Sequence, residues 1–159
     1  MEDLFKQAEE YESILNQGLS LAGESKDYYI EGRIDDLKSA LPENYKVNRI
    51  LDYGCGTGET TVRLKSCFPT AEVIGSEISE ASLSYAKIKN QIAGVTYVHI
   101  DELDKYKGHF DLAYTNGVFH HIPVSERAKA YSSVYDCLRN QGYLGFSKTI
   151  HLIQARVIS

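Results

Sequence analysis

The stretch Ile50-Leu51-Asp52-Tyr53-Gly54-Cys55-Gly56-Thr57-Gly58 decides the fold of this chain. An apolar run ends in three alternating glycines, and a helical pattern follows. This order predicts a buried strand, a tight turn and a helix. Glycine permits positive φ and close approach of a ligand, and the free N–H groups at the start of a helix attract a carboxylate or phosphate. Taken alone, the glycines are also compatible with a plain strand-to-helix turn.

Short apolar runs and helical periodicities alternate on the C-terminal side of this loop. Strands are predicted over 47–53, 71–75, 95–100, 110–115 and 143–147, and helices over 58–67, 80–91 with Ser79 as N-cap, and from 123 or 125 to about 139. Residues 102–107 are predicted as a short turn or helix, and the 3–4 spacing of apolar residues predicts two further helices over 3–22 and 29–41. Strand–helix repeats of this length predict an α/β fold with a parallel, doubly wound sheet covered by helices on both faces.

Composition and charge exclude several classes of function. The net charge of -5, without a run of like charges, argues against a nucleic-acid partner. The three cysteines match no zinc or disulfide framework, so no metal is expected. The chain has no apolar run long enough for a membrane helix and no signal peptide pattern, which predicts a cytoplasmic protein without a membrane partner.

Polar side chains follow the predicted strands at the edge where ligands bind in doubly wound sheets. Glu77 follows the second strand, about twenty residues after the glycines, where a carboxylate can accept hydrogen bonds from ribose hydroxyls. Asp101 and Glu102 follow the third strand, where a carboxylate can accept from an adenine amino group. A solvated helix-start glutamate and a turn-forming aspartate are the alternatives at these positions.

A dinucleotide-binding loop is a further alternative, and its spacing does not match. In the G-x-G-x-x-G fingerprint counted from Gly54, the third glycine would stand at position 59, which is Glu59. A carboxylate there would repel a pyrophosphate. The loop therefore favours a compact ligand without phosphate, and a nicotinamide-dependent oxidoreductase is the less favoured interpretation.

Five segments, in this order, resemble the motifs of class I S-adenosylmethionine (SAM) dependent methyltransferases of the small-molecule type. They span roughly 47–147 and are Ile50–Gly58, Val73–Ser79, Tyr97–Asp101, Phe110–Pro123, which contains His-His-Ile-Pro, and Leu138–Leu144. The resemblance implies a Rossmann-like sheet, SAM as cofactor with S-adenosylhomocysteine as product, and methyl transfer to a small-molecule acceptor.

The resemblance also implies where the amino-acid part of SAM would bind. The three glycines of the loop would lie along the methionine part, and Asp52 would fix the loop or meet the SAM amino group. Asn116 and Gly117 would line the methionine end near the methyl group. Residues 1–42 would form a helical lid, with Tyr28 and Tyr29 as candidate contacts.

The same resemblance assigns the nucleoside part of SAM and a candidate base. Glu77 would hold the ribose with Ile78 against the adenine, and Asp101, next to Glu102, would meet the adenine amino group. Methyl transfer from a sulfonium depends mainly on alignment and exclusion of water, and it needs a base only when the acceptor carries a proton to be removed. His120 and His121 are the candidates, although packing or loop orientation would also explain these two histidines.

The chain is expected to be a single SAM-binding domain, 1–159, made of the lid, a core over 47–147 and an atypical tail over 148–159.

The family fold normally continues after strand five with a helix and two antiparallel strands, for which this tail is too short. Five strands are therefore expected, with the last two missing, and a shifted reading frame is one hypothesis for the tail. A free edge at strand five would invite a homodimer. A catalytically impaired SAM-binding fragment is the alternative function.

Overall fold

The computed structural model describes residues 10, 13–14, 26–147 and 151–156. The helix predicted over 3–22 lies almost wholly outside the described residues. The elements in chain order are α1 (Lys26–Ala40), β1 (Arg49–Tyr53), α2 (Glu59–Cys67), β2 (Glu72–Glu77), α3 (Glu80–Lys89), β3 (Val95–His99), a 3₁₀ helix (Ile100–Tyr106), β4 (Phe110–Thr115), a 3₁₀ turn (Val118–His120), α4 (Val124–Cys137), β5 (Leu138–Phe146) and β6 (His151–Gln154).

The strands form one sheet in the order β3-β2-β1-β4-β5-β6. The first five strands run parallel to their neighbours, and β6 is antiparallel to β5. β1 pairs with β2 on one side, with Asp52 opposite Gly75, and with β4 on the other side, with Asp52 opposite Tyr114. The strand order changes direction between β1 and β4, and the predicted doubly wound, Rossmann-like fold is confirmed.

Side chains of the sheet alternate between two apolar cores. Ile50 packs into the core that contains α1, α2 and α3, whereas Leu51 packs into the core that contains the 3₁₀ helix and α4. The alternation of side chains along β1 thus buries apolar residues against the helices on both faces of the sheet. The predicted stripe of α1, with Ile34 and Leu37 at its centre, is buried against the first face.

The strand count differs from the prediction. The tail over 148–159 was expected to add no strand, but β6 pairs with β5 from Tyr143↔Gln154 to Phe146↔His151. A strand of four residues spans only about 13 Å, so a short tail can supply it. Because β6 covers β5, the described edges of the sheet are β3 and β6, and a homodimer through a free β5 edge loses its basis.

β5 also begins five residues earlier than position 143. Leu138 of β5 pairs with Phe110 of β4, and the next pair is Tyr143 with Leu112. The residues of β5 between these two pairs form a bulge. Gln141 within the bulge has φ +65°. The Asn140-Gln-Gly segment, which lies between the predicted helix and the predicted strand, is therefore an irregularity inside the strand.

No helix in the described ranges is long and apolar enough to cross a membrane. Within the same ranges, no group of three or more His, Cys, Asp or Glu side chains is arranged to hold a metal ion.

Candidate functional site

The glycine loop, residues 54–58, adopts the conformation that its sequence predicts. Gly54, Gly56 and Gly58 have φ of +73°, +55° and +96°. A Cβ atom at Gly54 would collide with Val118, and one at Gly58 with the Tyr97 hydroxyl group, whereas one at Gly56 would meet no atom within 4 Å. Two of the glycines are thus required by packing, and Gly56 borders open space.

Backbone hydrogen bonds attach this loop to the end of β2. The N–H groups of Gly54 and Cys55 both donate to the carbonyl of Ser76, at 2.8 and 2.9 Å. On the other side of the loop, Asn90 Nδ2 donates to the carbonyl of Thr57 at 2.7 Å. The loop is therefore held in place from both sides.

The Glu77 carboxylate accepts hydrogen bonds from three backbone N–H groups. Oε2 accepts from Gly56 at 2.9 Å, and Oε1 accepts from Ile78 and Ser79, each at 2.9 Å. A carboxylate has about four accepting positions, so one position on Oε2 is left. If both ribose hydroxyls bind Glu77, one of them has to share or displace the Gly56 contact.

Asp52 lies beneath the loop. Its side chain is 1% exposed, and Oδ2 accepts from Thr61 Oγ1 at 2.7 Å. Burial raises the pKa of the Asp52 carboxyl group to about 7, and the charges of Glu77 and Glu59 add to this shift. The structure therefore joins Asp52 to α2 under the loop and shields it from solvent.

A cavity of about 440 Å³ opens at the carboxyl ends of the strands, next to the loop. Four of the predicted positions line it, namely Gly54, Glu77, Ile78 and Asp101. The volume falls in the range of ordinary small-molecule pockets, about 300–1,000 Å³. The structure thus brings together residues that follow β1, β2 and β3.

The remaining lining of the cavity was not predicted from the sequence. It is formed by Ile100, by Val118 and Ile122 from the loop after β4, and by polar residues of α4 such as Glu126 and Lys129. The signal that was available is the pair of apolar residues flanking the His-His segment, since apolar side chains in a loop at a strand end often face a ligand.

The two side chains at the mouth of the cavity are accessible. Ile78 is 69% exposed, and the Asp101 side chain is 86% exposed. The ring of His99 joins their backbones, since Nδ1 accepts from the Asp101 N–H at 3.3 Å and Nε2 lies 3.2 Å from the Ile78 carbonyl. An apolar surface and a carboxylate are thereby fixed side by side.

Glu102 has a different environment from Asp101. Its Oε1 accepts from the His99 N–H at 3.2 Å, and its Oε2 accepts from Lys105 at 2.9 Å. The hydrogen bond with Lys105 lowers the pKa of Glu102. These contacts cap the 3₁₀ helix, and Glu102 is not among the residues that line the cavity.

Asn116 and Gly117 lie beside the glycine loop, on the side of α1. Asn116 Oδ1 accepts a hydrogen bond from Arg33 Nη1 at 3.0 Å. A Cβ atom at Gly117 would meet no atom within 4 Å. Arg33 was not singled out in the sequence; its spacing of four from Tyr29, over whose ring it lies, is the signal that could have found it.

His120 and His121 are exposed at the end of the 3₁₀ turn. Among the described residues, neither imidazole has a hydrogen-bond or ion-pair partner. The neighbouring Phe119 instead stacks on Tyr131, with ring centroids 4.0 Å apart. The two candidate bases are therefore accessible but are not oriented by another side chain of the described chain.

Comparison with known proteins identifies relatives of similar sequence. The chain is 34% identical over 109 residues to a trans-aconitate 2-methyltransferase of Deinococcus radiodurans, a match that covers 69% of this chain and 40% of that protein. This chain thus spans less than half the length of that curated relative.

Solved structures match the fold. A TehB-like SAM-dependent methyltransferase from Corynebacterium glutamicum superimposes with a TM-score of 0.65 at 23% identity, covering 89% of this chain and 72% of that one. An S-adenosylmethionine dependent methyltransferase from Mesorhizobium loti matches with a TM-score of 0.56 at 29% identity, covering 74% of this chain and 54% of that one.

The family model described as "Methyltransferase domain" matches residues 50–142, which run from β1 into the bulge of β5. The resemblance to class I SAM-dependent methyltransferases is thereby confirmed. Since this match covers more than half of the 159 residues, the chain belongs to the methyltransferase domain family.

Proposed function

We propose that this chain binds SAM in the cavity beside the glycine loop and transfers the methyl group to a small-molecule acceptor. The observation that carries the proposal is that Gly54, Glu77, Ile78 and Asp101 converge on one cavity where the strand order changes between β1 and β4. The relative from Mesorhizobium loti, described as SAM-dependent, supports this choice of cofactor.

The residues present fit such a cofactor. Gly56 and Gly117 border open space, so a ligand can approach the backbone there. Glu77 would hold ribose hydroxyls, the exposed Ile78 would cover one face of the adenine, and Asp101 would accept from its amino group. SAM, when bound, supplies a methyl group on a positively charged sulfur.

The residues of the chain would contribute mainly by position. The loop that Ser76 and Glu77 hold would place the cofactor, and the apolar side chains of Val118 and Ile122 would keep water from the cavity. His120 or His121 would take up a proton from an acceptor that must lose one. Neither is needed for an acceptor that reacts without deprotonation.

The proposal extends to the N-terminal residues of the chain, to its place in the cell and to its partners. Residues 1–42 form a lid, which is supported by α1 reaching the end of β4 through Arg33 and Asn116. The protein works in the cytoplasm, which is supported by its free cysteines, Cys55 and Cys137 among them. It has no nucleic-acid partner, which is supported by the net charge of -5.

Calorimetric titration with SAM, S-adenosylhomocysteine and NAD tests the cofactor. We expect binding of both adenosyl compounds and none of NAD, since Glu59 stands where a dinucleotide loop has its third glycine. Preferential binding of NAD, or no binding of either adenosyl compound, would contradict the proposal.

Transfer of label from methyl-labelled SAM to a panel of small acids, amines and phenols then tests the activity. We expect one class of acceptor to be labelled. Binding of SAM without transfer to any acceptor would favour the alternative, a SAM-binding module without activity.

A further inference from the structure

Asn90 connects the end of α3 to the second half of the glycine loop. Its backbone N–H donates to the Ala86 carbonyl at 2.9 Å, and its side-chain Nδ2 donates to the Thr57 carbonyl at 2.7 Å. The backbone carbonyl of Asn90 accepts from the Tyr97 hydroxyl group of β3 at 3.0 Å. The backbone of Asn90 is thus fixed on both sides of the side chain that meets the loop.

The hydrogen bond from Asn90 determines the orientation of one peptide group in the loop. The Thr57 carbonyl and the Gly58 N–H belong to the same trans peptide and point in opposite directions. The carbonyl accepts from Asn90, and the N–H donates to the Cys55 carbonyl at 3.0 Å. This peptide therefore has a partner at each end.

The glycine that follows this peptide makes the second partner important. Gly58 has φ +96°, and glycine adopts φ of either sign at similar cost. A peptide next to such a residue can turn over unless hydrogen bonds prevent it. Without Asn90, the turn bond from Gly58 to Cys55 would have to hold the orientation of the peptide without the bond at its other end.

The two halves of the loop are held by different elements. The N–H groups of Gly54 and Cys55 donate to the Ser76 carbonyl, and that of Gly56 donates to Glu77, so β2 and its end hold the first half. The second half is reached from α3 by Asn90. The conformation of the loop as a whole thus depends on a side chain far from β2.

The orientation of the Thr57–Gly58 peptide matters for the candidate site. Gly58 is the N-cap of α2, and it has no side chain with which to cap the helix. The same peptide lies directly after Gly56, which borders open space. Asn90 is not among the residues that line the cavity, so any effect on a ligand must pass through the loop.

We propose that Asn90 is a positioning residue for the cofactor, which holds the Thr57–Gly58 peptide so that the glycine loop is formed before the ligand binds. The inference rests on the proposed function, in which the ligand is SAM. A preformed loop spares the ligand the cost of ordering it. If only a fraction of the molecules has the competent loop, the apparent dissociation constant rises by the inverse of that fraction.

The test compares Asn90→Asp with Gln91→Glu. In Asn90→Asp the side chain keeps its shape, but an ionised carboxylate cannot donate to the Thr57 carbonyl. Gln91→Glu is the matched control, since the neighbouring Gln91 also donates its side-chain amide to backbone carbonyls, those of Ile92 and Val95, and not to the loop. Both substitutions introduce one negative charge just after the end of α3.

Two measurements follow the loop and the ligand separately. Hydrogen exchange of the Gly58 N–H, measured by NMR in the unliganded chain, reports how often this peptide leaves its hydrogen bond to Cys55. Calorimetric titration with S-adenosylhomocysteine reports binding. Urea unfolding of each variant reports the loss of stability that any substitution at this helix end can cause.

We expect Asn90→Asp to change both properties. Exchange of the Gly58 N–H should become about 3- to 30-fold faster, and the dissociation constant of S-adenosylhomocysteine should rise by a similar factor. Gln91→Glu should leave both at their wild-type values. If Asn90→Asp does not fold, Asn90→Ala, which removes the donor without adding a charge, should show the same two effects.

Three results would overturn the inference. Wild-type affinity in Asn90→Asp would show that Asn90 does not position the loop for a ligand, whatever its exchange. A loss of affinity with unchanged exchange of the Gly58 N–H would mean that Asn90 acts by another route. Equal losses in Asn90→Asp and Gln91→Glu would assign the effect to charge or stability at the end of α3.

Failure of the proposed function has a different signature. If the wild-type chain binds no adenosyl compound, the proposed function fails and the role of Asn90 toward SAM fails with it. The exchange of the Gly58 N–H still reports in that case whether Asn90 holds the loop. Normal wild-type binding with an unaffected Asn90→Asp variant contradicts only the positioning role.

Discussion

Glu77 combines two tasks at a single carboxylate. It accepts from three backbone N–H groups, including that of Gly56 in the glycine loop, and it borders the cavity. In Glu77→Gln, one accepting oxygen becomes an amide NH₂ that cannot accept from these N–H groups. We expect the dissociation constant of SAM, measured by calorimetry, to rise about 10- to 100-fold, since charge-assisted hydrogen bonds contribute roughly 1.5–3 kcal/mol.

Glu72→Gln is the control for this change. Glu72 begins the same strand at its opposite end, where its carboxylate lies 3.8 Å from His109. The substitution removes one negative charge without touching the loop, so SAM should bind as it does to the wild-type chain. Equal dissociation constants for Glu77→Gln and Glu72→Gln would show that Glu77 does not hold the ligand.

Asp52 makes the stability of the folded chain depend on pH. Its pKa is about 7 in the fold against an ordinary value of 3.8, because the carboxyl group is buried. The fold thus favours the protonated form, so the contribution is full below about pH 4, falls as the pH rises toward 7, and levels off above it. From pH 5 to pH 8 the wild-type chain should lose roughly 2–3 kcal/mol through this group.

Urea unfolding at pH 5, 6, 7 and 8 measures this dependence. In Asp52→Asn the amide oxygen can still accept from Thr61, but the group no longer titrates. The free energy of unfolding of the variant, relative to that of the wild-type chain, should therefore increase as the pH rises. Parallel pH profiles for the two proteins would refute the assignment.

Sequence reasoning was most effective at positions where one residue type has one physical reason. The loop glycines adopt positive φ. The acidic residues after β2 and β3 were found because ligands of doubly wound sheets bind at the carboxyl ends of the strands. Arg33 and Asn116 could not be paired in this way, because they are 83 residues apart and nothing local connects them. Glu102 was predicted as a ligand contact from its place after β3, but its neighbour Lys105 and the His99 N–H engage its carboxylate.

At the scale of elements, Asp111 joins three strands at the end of the sheet opposite the cavity. Its Oδ2 accepts from the N–H groups of Asn48 and Arg49 at 2.8 and 2.9 Å, and its Oδ1 accepts from Arg139. Asp111→Ala leaves these donors without their partner, which should lower the free energy of unfolding by roughly 2–4 kcal/mol in urea titrations. The affinity for SAM should stay the same, because the site lies at the other strand ends.

Asp104→Ala is the matched control for this prediction. The Asp104 side chain is 89% exposed and lies 3.7 Å from Lys107, so its removal should cost less than about 0.5 kcal/mol. Comparable losses of stability in the two variants would show that Asp111 does not join the strands as described.

The elements that the sequence predicted well are those with long, regular patterns. β4 matches its predicted bounds, and Ser79 is the N-cap of α3, where its side chain accepts from the Ser82 N–H at 3.3 Å. β6 was missed because four residues carry too little pattern, and its formation depends on pairing with β5. The early start of β5 was missed for a similar reason, since a bulge has no local signature there.

At the scale of the whole molecule, the candidate site draws on both faces of the sheet. The cavity is lined from the face that carries the 3₁₀ helix and α4, whereas Arg33 comes from α1 on the other face. Such a site can form at the point between β1 and β4, because the loops after these two strands lead to helices on opposite faces of the sheet. Ligand binding should therefore depend on the intact sheet, whose β5 edge is covered by β6.

The coverage of β5 by β6 can be tested with two substitutions in the same segment. Ala155 is 4% exposed, and its N–H donates to the Gly142 carbonyl at 2.7 Å, whereas Ile153 is 46% exposed. Ala155→Asp would bury a carboxylate without a partner and should lower the free energy of unfolding by about 2–4 kcal/mol, followed by circular dichroism in urea. Ile153→Asp places the same charge in solvent and should cost no more than about 1 kcal/mol. Equal losses would mean that β6 does not pack on the sheet, and β5 would then be the exposed edge.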